Sequence, residues 1–205
     1  MVLALLFPLR CPGCGAPAEP VCGRCAGELR GAAPAAPPPG IDRWVAAFAY
    51  EGVAADLIAR VKYRSARGAL PWLADAIVDE LAGTWGRDAT AADVITWAPT
   101  SRARVRQLGV DHAALLARAV GKRLRRPVRS LLRRRPGPTQ TGAPRAARAG
   151  VRFAARSAPD RVLVVDDVAT TGATLAASAR ALRAVGATRV DAATAARTPP
   201  RGLVP

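Results

Sequence analysis

Hydrophobic positions along the chain switch between two periods. Trp44 to Tyr50 and Val94 to Trp97 read as strands. Val162 to Val165 is an unbroken β-branched and leucine run, the pattern of a strand buried on both faces of a parallel sheet. Between these runs the spacing lengthens. Val53 to Val61 predicts a short helix closed by the cations of Lys62-Tyr63-Arg64. Leu70, Leu73, Ala74, Ile77 and Leu81 recur at helical spacing, with Asp75, Asp79 and Glu80 turned away. Asp111 to Leu124 predicts a helix burying Ala113, Leu116, Ala117, Val120 and Leu124, with Arg118, Lys122 and Arg125 on its outer stripe. A helix from about Ala173 carries Leu175, Ala179 and Leu182 and stops at Gly186, and Val190 to Thr194 supplies a last strand. Strands alternating with helices predict an α/β architecture, a mostly parallel sheet flanked by helices.

Weaker patterns fill the gaps. Val128 to Leu132 reads as a short strand, and the SRARVRQLG stretch after Thr100 as a polar loop. Residues 133–150 show no periodicity and are rich in Gly, Pro and Arg, as in a lid or an unstructured basic loop. Gly31 to Gly40, GAAPAAPPPG, is a semi-extended Pro/Ala linker. It divides the chain into residues 1–30, 31–40 and 41–205. The four tryptophans are scattered in sequence and read as core rather than as a base-stacking platform.

Composition changes this picture in three ways. A length of 205 residues holds one ordinary domain and a small appendage. With only 4% aromatic residues, the core must be built from Ala, Val and Leu. The net charge of +16 favours polyanionic partners such as nucleic acid or pyrophosphates. The arginine excess is equally well explained by composition, since Lys62 and Lys122 are the only lysines. No run approaches the length of a membrane span. The apolar start Val2 to Phe7 is short, follows no basic residue and ends at Pro8, a poor signal peptide. The expected location is cytoplasmic, where paired thiols more often mean metal than disulfide.

Residues 11–25, CPGCGAPAEPVCGRC, place Cys11, Cys14, Cys22 and Cys25 in two C-x-x-C pairs. Four thiolates around one ion make the closed tetrahedral shell of a structural zinc site, with no open position for catalysis. Two disulfides or an iron–sulfur cluster are the alternatives. Zinc would fold a segment too small to bury a core alone.

The chemistry concentrates in Val162 to Thr174, VLVVDDVATTGAT. Asp166 and Asp167 follow the apolar run where the strand is expected to end. A small-residue turn comes next, then a helix. In an open α/β sheet, ligands bind at the carboxyl ends of strands. Backbone amides of a tight turn form an anion nest, and the helix N-terminus adds partial positive charge. Thr170, Thr171 and Thr174 offer hydroxyls around Ala169 and Ala173, and Gly172 permits backbone geometry that a β-carbon forbids. One phosphate fits such a turn. An ionised acid pair accepts hydrogen bonds or holds a metal, which suits two ribose hydroxyls. A phosphate and a diol side by side describe a ribose 5-phosphate. The bland alternative is an ordinary strand–turn–helix crossover with two solvated acids. A Walker loop is excluded, because no Gly-Lys-Ser/Thr run is present. Three guanidinium groups, Arg102, Arg104 and Arg106, and the ammonium of Lys62 are candidates to clamp pyrophosphate; a solvated basic loop is the alternative. His112, the only histidine, reads as a capping or surface residue and is given no role.

The VLVVDDVATTGAT stretch resembles the fingerprint of the phosphoribosyltransferases, whose loop binds phosphoribosyl pyrophosphate (PRPP). The resemblance implies Asp166 and Asp167 on the ribose hydroxyls, Ala169 to Thr174 around the 5-phosphate, and Mg²⁺ bound with PRPP. Together with the LFP-x-x-CPGCG opening, the VKY segment and the strand ending before Pro99, the layout resembles the ComF family over nearly the whole chain. These are competence-associated proteins with an N-terminal four-Cys zinc finger and a type I phosphoribosyltransferase-like domain. The family usually carries Arg-Gly-Phe-Asn-Gln where this chain has Leu108-Gly109-Val110-Asp111-His112. Gln140, Arg145 and Arg148 fit its basic loop, without the usual Asn. The resemblance therefore implies PRPP binding more firmly than turnover. The acid that serves the base in purine-salvage transferases is absent at Thr170, and Val2 stands where an amidotransferase would process a nucleophilic Cys. Three readings remain open: a transferase acting on an unknown acceptor, a module handling single-stranded DNA beside other competence proteins, or a PRPP-sensing regulator. No catalytic residue is assigned.

Overall fold

The computed structural model describes residues 10–17, 20–62, 68–135 and 151–199, with the side chains of Thr90 and Arg102 also outside the described set. After a five-residue helix α1 (Gly23–Gly27), the order is β1 (Trp44–Ala49), α2 (Gly52–Lys62), α3 (Leu70–Trp85), β2 (Val94–Trp97), α4 (Arg102–Leu108) and α5 (His112–Leu124). Two short strands follow, β3 (Leu132–Arg134) and β4 (Phe153–Ala155), then β5 (Arg161–Ala169), α6 (Ala173–Arg183) and β6 (Arg189–Arg197).

Four strands form a sheet in the order β1-β6-β5-β2, all parallel, with Val164 opposite both Thr96 and Ala192. The unbroken apolar run of β5 is explained by what lies on either side of it. Leu163 and Val165 face a cluster built from Leu57 and Ile58 of α2, Leu73 and Ile77 of α3, and Leu116 and Val120 of α5. Val162 and Val164 face the second cluster, with Leu175, Ala179 and Leu182 of α6 and Ile41 from the segment before β1. A strand buried on both faces has no polar positions to spare. This is an α/β fold, a parallel sheet between helical layers.

Both sheet edges are engaged. On β1, the Ala32 amide donates to the Ala47 carbonyl at 3.3 Å and the Ala49 amide to the Arg30 carbonyl at 2.9 Å. On β2, the Ile95 amide donates to the Pro127 carbonyl at 2.9 Å and the Arg129 amide to the Ile95 carbonyl at 3.0 Å. Gly121 makes the second contact possible, because a Cβ there would lie 2.2 Å from Val128 Cγ2.

Several sequence expectations need correction. The stretch after Thr100 is helical: Ser101 Oγ accepts from the Arg104 amide at 3.2 Å, and Gly109 ends α4 in the left-handed region at φ 79°. The strand expected at Val128–Leu132 is a single bridge from Val128 to Ile95, and the true strand is Leu132–Arg134. It pairs antiparallel with Phe153–Ala155, so the first residues of the supposed unstructured loop are paired ones. Residues 136–150, with Gln140, Arg145 and Arg148, lie outside the described residues, as do the Leu6-Phe7-Pro8 opening and Tyr63. Strand β5 does not stop before the acids. It runs to Ala169, because β6 is long enough to pair with it through Asp166–Thr194 and Ala169–Arg197. None of the described helices is long and apolar enough to cross a membrane.

Candidate functional site

A cleft opens at the carboxyl ends of β2 and β5. Its lining includes Lys62 from the end of α2, Pro99 and Thr100 after β2, Arg104 and Leu108 of α4, Asp111 and His112 at the start of α5, and Arg134 of β3. Asp166, Asp167 and Thr174 complete it. The fold thus brings together both acids, one threonine and two of the four candidate cations. Thr170, Thr171 and Ala173 lie exposed at the turn beside it, while Ala169 and Gly172 are buried.

Of the three arginines expected to clamp pyrophosphate, the two with described side chains part company. Successive residues of a helix are about 100° apart, so positions 104 and 106 cannot share a face. Arg104 lines the cleft, Arg106 does not and is exposed, and the side chain of Arg102 is outside the described set.

The two acids occupy unlike environments. Asp167 Oδ2 pairs with Lys62 Nζ at 2.9 Å, and its Oδ1 accepts from the Val168 amide at 2.7 Å. Among the described residues, Asp166 accepts only from the Asp167 amide, at 2.9 Å. Burial, then the adjacent Asp167 charge, hold the Asp166 carboxyl well above its ordinary range, outweighing that amide and Lys62. The adjacent Asp167 carboxylate thus repels charge on Asp166. A ligand bringing hydroxyl donors would relieve that repulsion.

Gly172 is fixed twice. Its φ of 71° lies in the left-handed region, and an added Cβ would come within 2.6 Å of Pro38 Cγ. The helix behind it is capped from within the turn: the Ala173 amide donates to Thr171 Oγ1 at 3.4 Å, and the Ala176 amide to the Gly172 carbonyl at 2.9 Å.

Sequence reasoning gave no site role to two cleft residues. Asp111 Oδ2 accepts from Trp97 Nε1 at 3.3 Å and from the Thr100 amide at 3.2 Å, tying β2, its following turn and α5 together. Its Oδ1 is buried without a hydrogen-bond partner among the described residues. His112 is neither a cap nor a surface residue; it is 6% exposed and lines the cleft. The available signal was their position at a helix start following a strand end, the same arrangement that singled out the β5 turn.

The four cysteines form a second centre. Their sulfurs all lie within 4.8 Å of one another, and Cys14 Sγ is 3.6 Å from Cys22 Sγ. A tetrahedron of thiolates at Zn–S of about 2.3 Å has edges of about 3.8 Å. Gly13 is required by this closeness, since a Cβ would come within 2.7 Å of Cys25 Sγ. Burial pushes the Cys11 thiol up, but the amides of Cys22, Cys14 and Gly13 prevail and bring it down to about 6. Burial, then hydrogen bonds with Cys14, Cys22 and Cys11, push Cys25 up to about 12. A cation among the four sulfurs would favour their thiolate forms, and the soft sulfur set fits zinc. Among the described residues this is the one group able to hold a metal ion by side chains alone.

Residues 114–205 match the family model of the phosphoribosyl transferase domain. Over that range the chain is phosphoribosyltransferase-like. No curated protein matches the chain. Among solved structures it is similar to an orotate phosphoribosyltransferase from Aeropyrum pernix (25% identity, 58% of this chain and 55% of that one, TM-score 0.34). It is also similar to a purine phosphoribosyltransferase from Pyrococcus horikoshii Ot3 (21% identity, 65% of this chain and 78% of that one, TM-score 0.39). The match thus spans little more than half the length of the Aeropyrum protein.

Proposed function

We propose that this chain is a ComF-like, PRPP-binding protein that transfers a phosphoribosyl group to an unidentified acceptor. The observation that supports it most is the cleft itself: two acids and Thr174 face Lys62, Arg104 and Arg134 at the carboxyl ends of parallel strands. Asp166 and Asp167 would take the ribose hydroxyls. The turn from Ala169 to Thr174, with Thr170, Thr171, Gly172 and Ala173, would take the 5-phosphate. Lys62 and Arg104 would face the pyrophosphate, Lys62 exchanging its bond to Asp167 for one to the ligand.

The acids of the cleft, Asp111, Asp166 and Asp167, are hard oxygen donors of the kind magnesium takes. Magnesium bound with PRPP would neutralise charge on the departing pyrophosphate. The chain's own part is to hold the ribose while positive charge grows at its anomeric carbon, for which position and electrostatics matter more than covalent help. Zinc in the Cys11, Cys14, Cys22 and Cys25 cluster would be structural, and residues 1–30 and 41–205 separate units of function. Reduced thiols of this kind fit a cytoplasmic location.

Calorimetry with PRPP and Mg²⁺ is the test. Wild-type chain should bind, and Asp167→Ala should lose at least about tenfold in affinity, the loss of one charge-assisted contact. No heat with wild type, or equal affinity in the variant, overturns the proposal. Pyrophosphate release on addition of candidate acceptors separates a transferase from a regulator that only binds.

One further observation favours a nucleic-acid role beside this. Arg129, Arg133, Arg134, Arg135, Arg152 and Arg156 are all exposed on and around the β3–β4 ribbon. None of them is in an ion pair among the described residues. Single-stranded DNA binding through this ribbon should weaken steeply as salt rises, and binding indifferent to salt removes it.

A further inference from the structure

The segment between the cysteine cluster and β1 is more than a tether. It is fastened at both ends. At the first, Arg197 donates to the Ala33 carbonyl through Nη2 at 2.6 Å and Nε at 3.2 Å, and Gly31 bridges Phe48. At the second, Arg183 Nε donates to the Gly40 carbonyl at 3.0 Å and its Nη2 pairs with Asp42 Oδ2 at 2.6 Å. The same Asp42 oxygen accepts from the Val190 amide at 2.7 Å. Between these fastenings Pro38 is buried, its carbonyl accepting from the Ile41 amide at 3.0 Å. Ile41 in turn packs in the cluster that holds Leu175 and Ala179 of α6.

The ring of Pro38 sits where a side chain of Gly172 would be, 2.6 Å from the ideal Cβ position at Cγ and 2.9 Å at Cβ. A glycine in the left-handed region is the most mobile kind of backbone position, because it pays the largest entropy when fixed. Here it is the pivot between β5 and α6. Its amide belongs to the turn read above as the 5-phosphate cradle.

We infer that Pro38 is a positioning residue for that cradle: it buttresses Gly172 from outside the turn and holds the amides of the turn aimed into one place before ligand arrives. This rests on the PRPP reading of the site. Through it the N-terminal segment becomes a working part of the phosphate end, whereas Lys62 and Arg104, read above as facing the pyrophosphate, belong to α2 and α4.

The experiment measures the two ends separately on the full-length chain, by calorimetry with ribose 5-phosphate and with magnesium pyrophosphate. Pro38→Ala should lose on the order of tenfold in ribose 5-phosphate affinity, the scale expected for a small loss of aim. Pro38→Gly should lose more, and both should bind pyrophosphate as wild type does. A merely structural role would lower both affinities together. Arg183→Gln loosens the segment without touching Gly172, and should weaken ribose 5-phosphate binding about threefold with pyrophosphate unchanged; it carries the test if the Pro38 variants fail to fold. Unchanged ribose 5-phosphate affinity in the folded variants, or a parallel loss for both ligands, overturns the inference while leaving the site reading intact. Wild-type protein that ignores ribose 5-phosphate removes the site reading, and the inference falls with it.

Discussion

Cys25 and Leu163 are equally hidden, each 1% exposed, yet different forces keep them there. Leu163 lies in a sheet strand under α2, α3 and α5, surrounded by Leu57, Ile95, Leu116 and Val165. Its burial follows from apolar area removed from water on a wide, continuous face. Cys25 belongs to a five-residue helix with no core of its own. It lies among three other sulfurs and against Gly13, where an added Cβ would come within 2.7 Å of its Sγ. One region holds itself together. The other gathers four cysteine sulfurs within reach of one metal ion.

The comparison is broken most directly by removing metal. Structural zinc sites in small modules bind with about 10–16 kcal/mol at neutral pH, so chelation should expose residues 10–30 to protease while leaving the thermal transition of the sheet in place. Limited proteolysis with mass analysis reads this; loss of both regions together would mean that the sheet depends on the module. Next in size is Leu163→Ala, expected to cost about 2–5 kcal/mol by urea unfolding with zinc content unchanged. A paired glycine test sharpens the other side. Gly13→Ala should weaken zinc binding by metal competition, because its Cβ would press on Cys25, whereas Gly23→Ala meets nothing within 4 Å and should be neutral.

Smaller effects test the charges of the sheet domain. The folded chain holds the Asp166 carboxyl above its unfolded value, so its contribution is most favourable at low pH. That contribution is lost as pH climbs from the ordinary carboxylate value, about 4, through the raised one. Asp166→Asn should flatten this fall in urea midpoints taken from pH 4 to 8. The smallest change is Arg123→Ala, which removes the pair that Arg123 makes with the exposed Asp75 and should cost under about 1 kcal/mol.

What the sequence revealed followed the strength of its periodicity. The run at Val162 and the stripe from Leu70 to Leu81 carry enough apolar positions to fix both type and face, and the structure has a two-faced strand and a helix there. Helix α4 was legible in principle, since Ser101 and Gly109 are a start and a stop. Three arginines in between obscured them. The β3–β4 ribbon was not legible. Three-residue strands joined across residues 135–152 have no local pattern, and only their pairing defines them. At the cleft, residues contiguous in sequence were found by their chemistry, while Asp111 and His112 enter through the fold. The same holds for Pro38, whose composition reads as linker and whose seat beneath Gly172 exists only in three dimensions.

The short bridges of Gly31 to Phe48 and Val128 to Ile95 have a colloidal consequence. A fully parallel sheet ends in two rows of unpaired amides and carbonyls, a template on which a stranger's strand can grow. Here each outermost strand already spends part of that valence on its own chain, with Gly31 at one border and Val128 at the other. Substituting Gly121 would push Val128 off its border and leave β2 sticky, so a bulky residue there would first be noticed as turbidity in a concentrated sample.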